Sequence, residues 1–593
     1  MALFLILLSL AGCNKNETIE GVMKPVIELD SEDGIYTVKV GRQLTVAPTF
    51  RNVADAVIEW SMDGEILSRG QVFTYVWQEE GTYYITLTAT NEGGTAQEEI
   101  RVEVMGLTPP VVSLFLPDGG LKLLPGASYT FTPDIQHADM EGFEIAWYLN
   151  GELVSSDTSY TFVAETPGTY DMKIIASNID GTTTREFSFE VVEDMPRSVS
   201  FLPPSYFQTS TDRYTFPGRP VFLTPALADF TAPSFRWEVD GDPVESDSDT
   251  YKFTTDTPGE YTVKVIVTES SRARRRLSTD DSYKRICRSV RMTGDYMASV
   301  KVICVDATEE SRRRAATASS SKDCDKIYEW VPAPGQFINE AAMGGAEATH
   351  ESAKAWVAEC LKSNTPVSLG AFGGYMIVGF DHSVPLDPSG AYDFEVGGNA
   401  FASGAGDSNE PGIVWVMQDV NGNGLPDDEW YELKGSEYDA SETYKNYAVT
   451  YYRPESPAMD VNWSDNRGAT GVVDYVGEFH KQAYYYPAWI EADTYTLYGS
   501  RLKARNYYDE STGRWSNSPF DWGYVDNYGS DNVESARGQW TGLHISNAVF
   551  ADGSEVGLQY IDFIKVQTGV QAKSGRLGEL STEVAGFRDA SLK

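Results

Sequence analysis

A seven-residue pattern occurs three times in the first half of this 593-residue chain, and it constrains the fold more than any other feature. Glu59-Trp60-Ser61-Met62-Asp63-Gly64-Glu65 returns as Ala146-Trp147-Tyr148-Leu149-Asn150-Gly151-Glu152, and again as Arg236-Trp237-Glu238-Val239-Asp240-Gly241-Asp242. Each copy reads as a strand bearing a tryptophan, then an Asp-Gly or Asn-Gly turn, the strongest short-range hairpin signal. About 23 residues after each tryptophan comes Gly81-Thr82-Tyr83, Gly168-Thr169-Tyr170 or Gly259-Glu260-Tyr261. Alternation follows: Tyr83, Ile85, Leu87 and Ala89 share a face, as do Tyr170, Met172, Ile174 and Ala176, and Tyr261, Val263, Val265 and Val267. A period of two with one apolar face predicts half-buried antiparallel strands, and hence an all-β, multidomain chain.

A repeat of roughly 90 residues with a core tryptophan describes an immunoglobulin-like (Ig-like) β-sandwich. The residues resemble PKD-like domains, whose marks are a W-x-[FVL]-[DN]-G hairpin and a later G-x-Y strand. The resemblance covers about residues 24–308, as repeats 24–106, 107–194 and 195–308. It implies spacers or weak binding modules with Trp60, Trp147 and Trp237 in their cores. The third copy departs from the pattern with a basic insertion, Ser270-Ser271-Arg272-Ala273-Arg274-Arg275-Arg276. Residues 309–323, charged and small, have linker composition.

The chain carries 87 Asp plus Glu against 47 Lys plus Arg, a net charge of −40. Nucleic acid is thereby excluded as a partner, because phosphates need clustered cations. The acidity suits solubility outside the cell. An uncharged run, Ala2 to Leu10, leads into Leu10-Ala11-Gly12-Cys13, which resembles the lipobox of bacterial lipoproteins, although no Lys or Arg precedes the run. That resemblance implies a signal peptide at 1–12, lipid on Cys13, a tether at 13–23 and a protein anchored to the outer membrane at the cell surface. Of the other cysteines, Cys287 and Cys304 sit in strand-like segments and are the favoured disulfide, with free buried thiols as the alternative.

From Cys324 the texture changes. A helix is expected over His350–Leu361 with Thr349 as its N-cap, and otherwise short strands with glycine punctuation. One large jelly-roll-like β-sandwich over 324–593 is the reading. Its sharpest motif is Asp419-Val420-Asn421-Gly422-Asn423-Gly424-Leu425-Pro426-Asp427-Asp428-Glu429. Oxygen side chains at alternating positions with a central glycine suit a hard cation, and calcium is expected in a structural role. The ligands would be Asp419, Asn421, Asn423, the Leu425 carbonyl and Asp427, with Glu429 or Glu432 standing in for the acid missing at position 12, where Trp430 lies. A metal-free turn rich in Asn and Asp is the alternative.

The blocks Gly373–Ser383, Tyr392–Phe401, Glu410–Val416 and Trp430–Ser436, closed by Val566-Gln567-Thr568, resemble a module of Bacteroidetes cell-surface lipoproteins. That resemblance implies an accessory to an outer-membrane nutrient transporter, with cobalamin or glycan as ligand. Tyr485, Trp489, Trp515 and Trp522, in loop-like polar surroundings, are the candidate binding aromatics, with plain core packing as the alternative, since consecutive tyrosines in a strand point both ways and at least one packs inward. No nucleophile elbow or phosphate loop occurs, and His350-Glu351 meets Lys354 where a second zinc histidine would stand. The expected function is therefore nutrient binding. The alternatives are a polysaccharide hydrolase working through Asp427 or Asp428, and a purely structural or adhesive surface protein.

Overall fold

The computed structural model describes residues 21–592, apart from 115, 117–119, 270–293, 403–405 and 536–537. Cys13, Cys287 and the basic insertion lie outside the described residues. The chain divides into two compact units, one of residues up to 114 with 128–162 and 169–189, the other of 115–127, 163–168 and 190 onward.

In the first unit, repeat 1 forms a five-stranded sheet in the order Ile35–Lys39, Gly94–Met105, Gly81–Asn91, Val57–Met62, Glu65–Ser68. Its hairpin turn uses Asp63 and Gly64 at φ 51° and 84°; Asn150–Gly151 repeats this at 50° and 86°. Both central residues are left-handed, as a two-residue turn matching the strand twist demands. Trp60 and Trp147 are fully buried. Their indole N–H groups donate to the carbonyls of Gly70 and Asp157, each at 2.8 Å, so a large apolar ring is buried without orphaning its one polar atom. Ile85, Leu87 and Ala89 are wholly inside, as are Ile174 and Ala176, following the alternation. Between the two repeats, Lys39 pairs with Asp180, which also accepts the Thr108 hydroxyl at 2.8 Å. Lys39 leads the causes that hold the Asp180 carboxyl down to about 2.

In the second unit, repeat 3 has the same strand order: Arg213–Thr215, Asp295–Cys304, Gly259–Glu269, Pro233–Val239, Asp242–Val244. Trp237 donates to the Ser248 carbonyl at 2.9 Å. Cys304, Cys324 and Cys360 form no disulfide among the described residues.

The C-terminal domain is built on a six-stranded antiparallel sheet in the order Lys326–Val331, Tyr375–Pro385, Tyr560–Thr568, Gly412–Met417, Tyr431–Leu433, Ala548–Val549. Two four-stranded sheets share its core: Asn532–Ser535, Gly538–Leu543, Phe394–Gly397 and Gly586–Asp589, and Thr470–Val473, Val461–Asp465, Tyr444–Tyr452 and Thr494–Arg501. The helix spans His350–Lys362, starts from a Thr349–Ser352 capping box, and buries Ala353, Val357 and Cys360.

Repeat 3 is docked on this domain. Glu329, fully inside, accepts the hydroxyls of Ser205 at 2.6 Å and Tyr375 at 2.8 Å, while the Tyr206 N–H donates to Tyr375. Arg213 pairs with Glu429 at 2.7 Å, Arg219 with Glu309 at 3.1 Å, and the Phe222 and Phe550 rings lie 5.3 Å apart. Strand register places Glu329, Ile377, Lys565, Trp415 and Glu432 in one row across five strands. Burial lowers the Lys565 amine to about 7, against the pull of Glu329 and Glu432 on either side. Residues 309–323 are also held: Glu309–Arg312 is a short capped helix, and Arg314 reaches the buried Asp562 at 3.1 Å.

His350 lies in this interface, its ring stacked on Phe207 with centroids 4.0 Å apart and its Nε2 accepting the Trp330 N–H at 3.3 Å. Burial, with Lys354 adding to it and Glu351 opposing, lowers its pKa from 6.5 to about 4. The neutral ring is the folded form, so this contribution is complete above about pH 6.5 and is lost as pH falls toward 4. Thermal melts at pH 7 and 4.5 will show a larger acid-induced drop for the wild type than for His350→Gln. Equal drops would refute the assignment.

Candidate functional site

The motif loop folds around its first aspartate. Asp419 accepts the N–H groups of Asn423 at 3.0 Å and Gly424 at 2.9 Å, and the amides of Asn421 and Asn423 both donate to Asp427, at 3.0 and 2.8 Å. Four of the expected ligands are thus gathered, with the Leu425 side chain exposed beside them. Glu432 is not among them. It belongs to the strand Tyr431–Leu433, where Lys445 (3.2 Å) and the Ser500 hydroxyl (2.5 Å) occupy its two oxygens. Its place near the loop is taken by Asp428, whose Oδ2 accepts the Val420 N–H at 3.0 Å. Asp428 Oδ1 is buried without a partner among the described residues, and burial, then Asp427 and Asp419, push its pKa up. Neither Asp427 nor Asp428 lines the cleft described below.

Two of the four candidate aromatics, Tyr485 and Trp489, need correction. Tyr485 is fully buried, donating to the His480 carbonyl at 2.9 Å. Trp489 is in the core, its ring 5.1 Å from that of Trp330. Both read as exposed because polar residues flank them, yet their loop lies across the main core and turns them inward. Trp522 is partly exposed and stands apart from the cleft. Trp515, half-buried in the strand Arg514–Asn517, stands on the cleft wall.

That cleft has a volume of about 780 Å³, the size that holds a drug-sized or oligosaccharide-sized ligand. Six segments distant in sequence build it: residues 336–342, the helix and strand residues Trp356, Pro366 and Ser368, residues 399–401 with 406–410, the turn at Phe479–His480, the hairpin bearing Trp515, and residues 574–583. Phe337, Phe401, Phe479 and Leu577 line it as exposed apolar side chains, Phe479 at 65% and Leu577 at 61%. Such a concentration of exposed apolar groups differs from the scattered single apolar side chains of an ordinary exterior. Arg514 and Arg576, also exposed, add positive charge to the lining without an ion-pair partner among the described residues.

The polar end of the cleft is acidic, lined by the half-buried Glu410 and the buried Glu579 and Glu583, with Asp526 behind them. Glu410, Asp526 and Glu583 bring carboxylate oxygens within 4.8 Å of one another. Asp526, wholly buried at a left-handed φ of 52°, accepts the N–H groups of Asn399 and Glu583, both at 2.9 Å. Glu579 accepts the Gln336 N–H at 2.9 Å. Burial raises all four pKa values; repulsion from neighbouring carboxylates adds to it at Glu410 and Glu583, and Glu579 reaches about 7. These acids were invisible in the sequence, lying up to 173 positions apart with no common motif.

The contrast between core and wall is measurable. Trp489→Ala will cost about 3–5 kcal/mol in denaturant unfolding. Trp515→Ala, on the wall, will stay within about 1 kcal/mol of wild type. Equal losses would place Trp515 in the core.

A PKD-like domain model matches residues 24–91 and 109–178, so repeats 1 and 2 carry PKD-like Ig domains. No curated protein matches the chain in sequence. Among solved structures, a titin I-band fragment of three Ig domains, I67–I69, is 13% identical. It covers 47% of this chain and 98% of its own length, at a TM-score of 0.20. Ig domains 1–5 of Sidekick-1 are 14% identical over 47% of this chain and 59% of that one, at 0.21. Fibronectin(III)-like modules of Clostridium thermocellum CbhA are 16% identical over 28% and 93%, at 0.16. The chain is an all-β, multidomain protein with repeated Ig-like sandwiches, of which the first two match the PKD-like domain.

Proposed function

We propose that this chain is a surface protein that captures an extracellular nutrient, a glycan or a macrocycle such as cobalamin, in the cleft of its C-terminal domain. The observation that carries the reading is the cleft itself: about 780 Å³, lined by exposed aromatic and apolar side chains, with polar groups gathered at one end. Aromatic walls supply area for stacking on a sugar or flat ring, and few polar groups then set orientation. In this proposal, lipid on Cys13 holds the chain to the outer membrane and an outer-membrane transporter receives the ligand. Calcium would hold the loop through Asp419, Asn421, Asn423 and Asp427, and the buried oxygen of Asp428, without a partner among the described residues, supports a cation there.

Isothermal titration of the full chain against cobalamin and a panel of common glycans tests this. Binding by the wild type, weakened at least tenfold in Trp515→Ala, is the expected result. Binding that Trp515→Ala leaves unchanged would move the site elsewhere. Release of product from a glycan would make the chain an enzyme.

A further inference from the structure

We propose that the acidic end of the cleft is a divalent-cation site, with Glu410, Asp526 and Glu583 as its carboxylate ligands. Three observations converge. One ion bound through oxygens at 2.3–2.6 Å draws its ligands to within about 5 Å of one another, and the three carboxylates meet that spacing at 4.8 Å. Two buried carboxylates and the half-buried Glu410 around one point also need positive charge, yet none of them, nor Glu579, has an ion-pair partner among the described residues.

The third observation is a surplus of acceptors. Glu579, 94% buried on the same cleft wall, uses one oxygen on the Gln336 N–H and leaves Oε2 buried without a donor among the described residues. Beside Asp526, Gln539 does the same. Its amide nitrogen donates to the Asn527 carbonyl at 3.0 Å, which fixes the amide orientation, and its Oε1 is left buried without a donor. That oxygen and Asp526 Oδ1 both lie within 3 Å of the point where a side chain on Gly398 would begin, at 2.7 and 2.9 Å. A hard cation satisfies both the need for charge and the surplus of acceptors, and an all-oxygen donor set suits calcium before softer metals. The site deepens the proposed function without depending on it: a cation at the base of the cleft would accept ligand hydroxyl or carboxylate oxygens opposite the apolar wall.

The test uses the full chain, stripped with chelator and titrated with calcium chloride by calorimetry. Three proteins are compared: wild type, the cleft variant Glu410→Gln/Glu583→Gln, and the loop variant Asp419→Asn/Asp427→Asn. The proposal predicts that the cleft variant loses one equivalent of calcium per chain, or binds it at least tenfold more weakly, while the loop variant keeps that equivalent. In chelator, the cleft variant will melt at or above the wild-type temperature, because two crowded charges are gone; with calcium, only the wild type will gain at that site. Identical calcium binding by wild type and cleft variant would overturn the proposal, as would a loop variant that binds no calcium. A cleft variant that melts lower in chelator would mark the acids as structural hydrogen-bonding groups and also overturn it. Glycan or cobalamin titrations run with and without calcium keep the two readings apart, since an ion without a ligand sinks only the proposed function.

Discussion

The C-terminal domain depends on having its six-stranded sheet covered. That sheet carries Glu329, Lys565 and Glu432 in a single row across its strands, a pattern that no exposed or half-buried face would need. Burying charges is costly unless each has a partner, and repeat 3 supplies several. Ser205 and Tyr206 complete the Glu329–Tyr375 pair, and Arg213 and Arg219 neutralise Glu429 and Glu309. Repeat 3 therefore behaves less as a spacer than as a wall of the domain, whatever its kinship with repeats 1 and 2. The segment 309–323 completes the seal, with Arg314 laid onto the buried Asp562.

What could be read from the sequence was local. Hairpin turns announced themselves because Asp-Gly and Asn-Gly pairs tolerate the left-handed backbone that tight turns require. The tryptophans and the alternating strands were legible because one face of a sandwich sheet is always buried, and the helix because Thr349 and Ser352 form a capping box three residues apart. The motif loop was legible in part: Asp419, Asn421, Asn423 and Asp427 converge, but the choice of the last acid depended on whether the chain after Trp430 stays in the loop or enters a strand. It enters a strand, and Glu432 goes with it.

The cleft could not be read, for the opposite reason. Its four acids come from three separate segments, Glu410, Asp526, and Glu579 with Glu583, each an otherwise ordinary run of residues. Glu583 sits in a short strand beside Ser368, and Asp526 in a loop bonded to Asn399. Only the topology that closes the chain's end against the strand Val367–Ser368 brings them together. Aromatic loops misled for a related reason. Polar neighbours suggest exposure, but Tyr485 and Trp489 lie where a long connection crosses the core, and burial there is decided by tertiary packing.

Native-state hydrogen exchange on the full chain tests the central claim, that repeat 3 and the C-terminal domain are one cooperative structure. The account predicts that amides of Val263, Val265 and Val267 in repeat 3 and of Met376, Ile377 and Val378 in the covered sheet open with a common free energy, with a common dependence on denaturant. Independent opening of repeat 3 at a clearly lower free energy, with the sheet amides still protected, would contradict it.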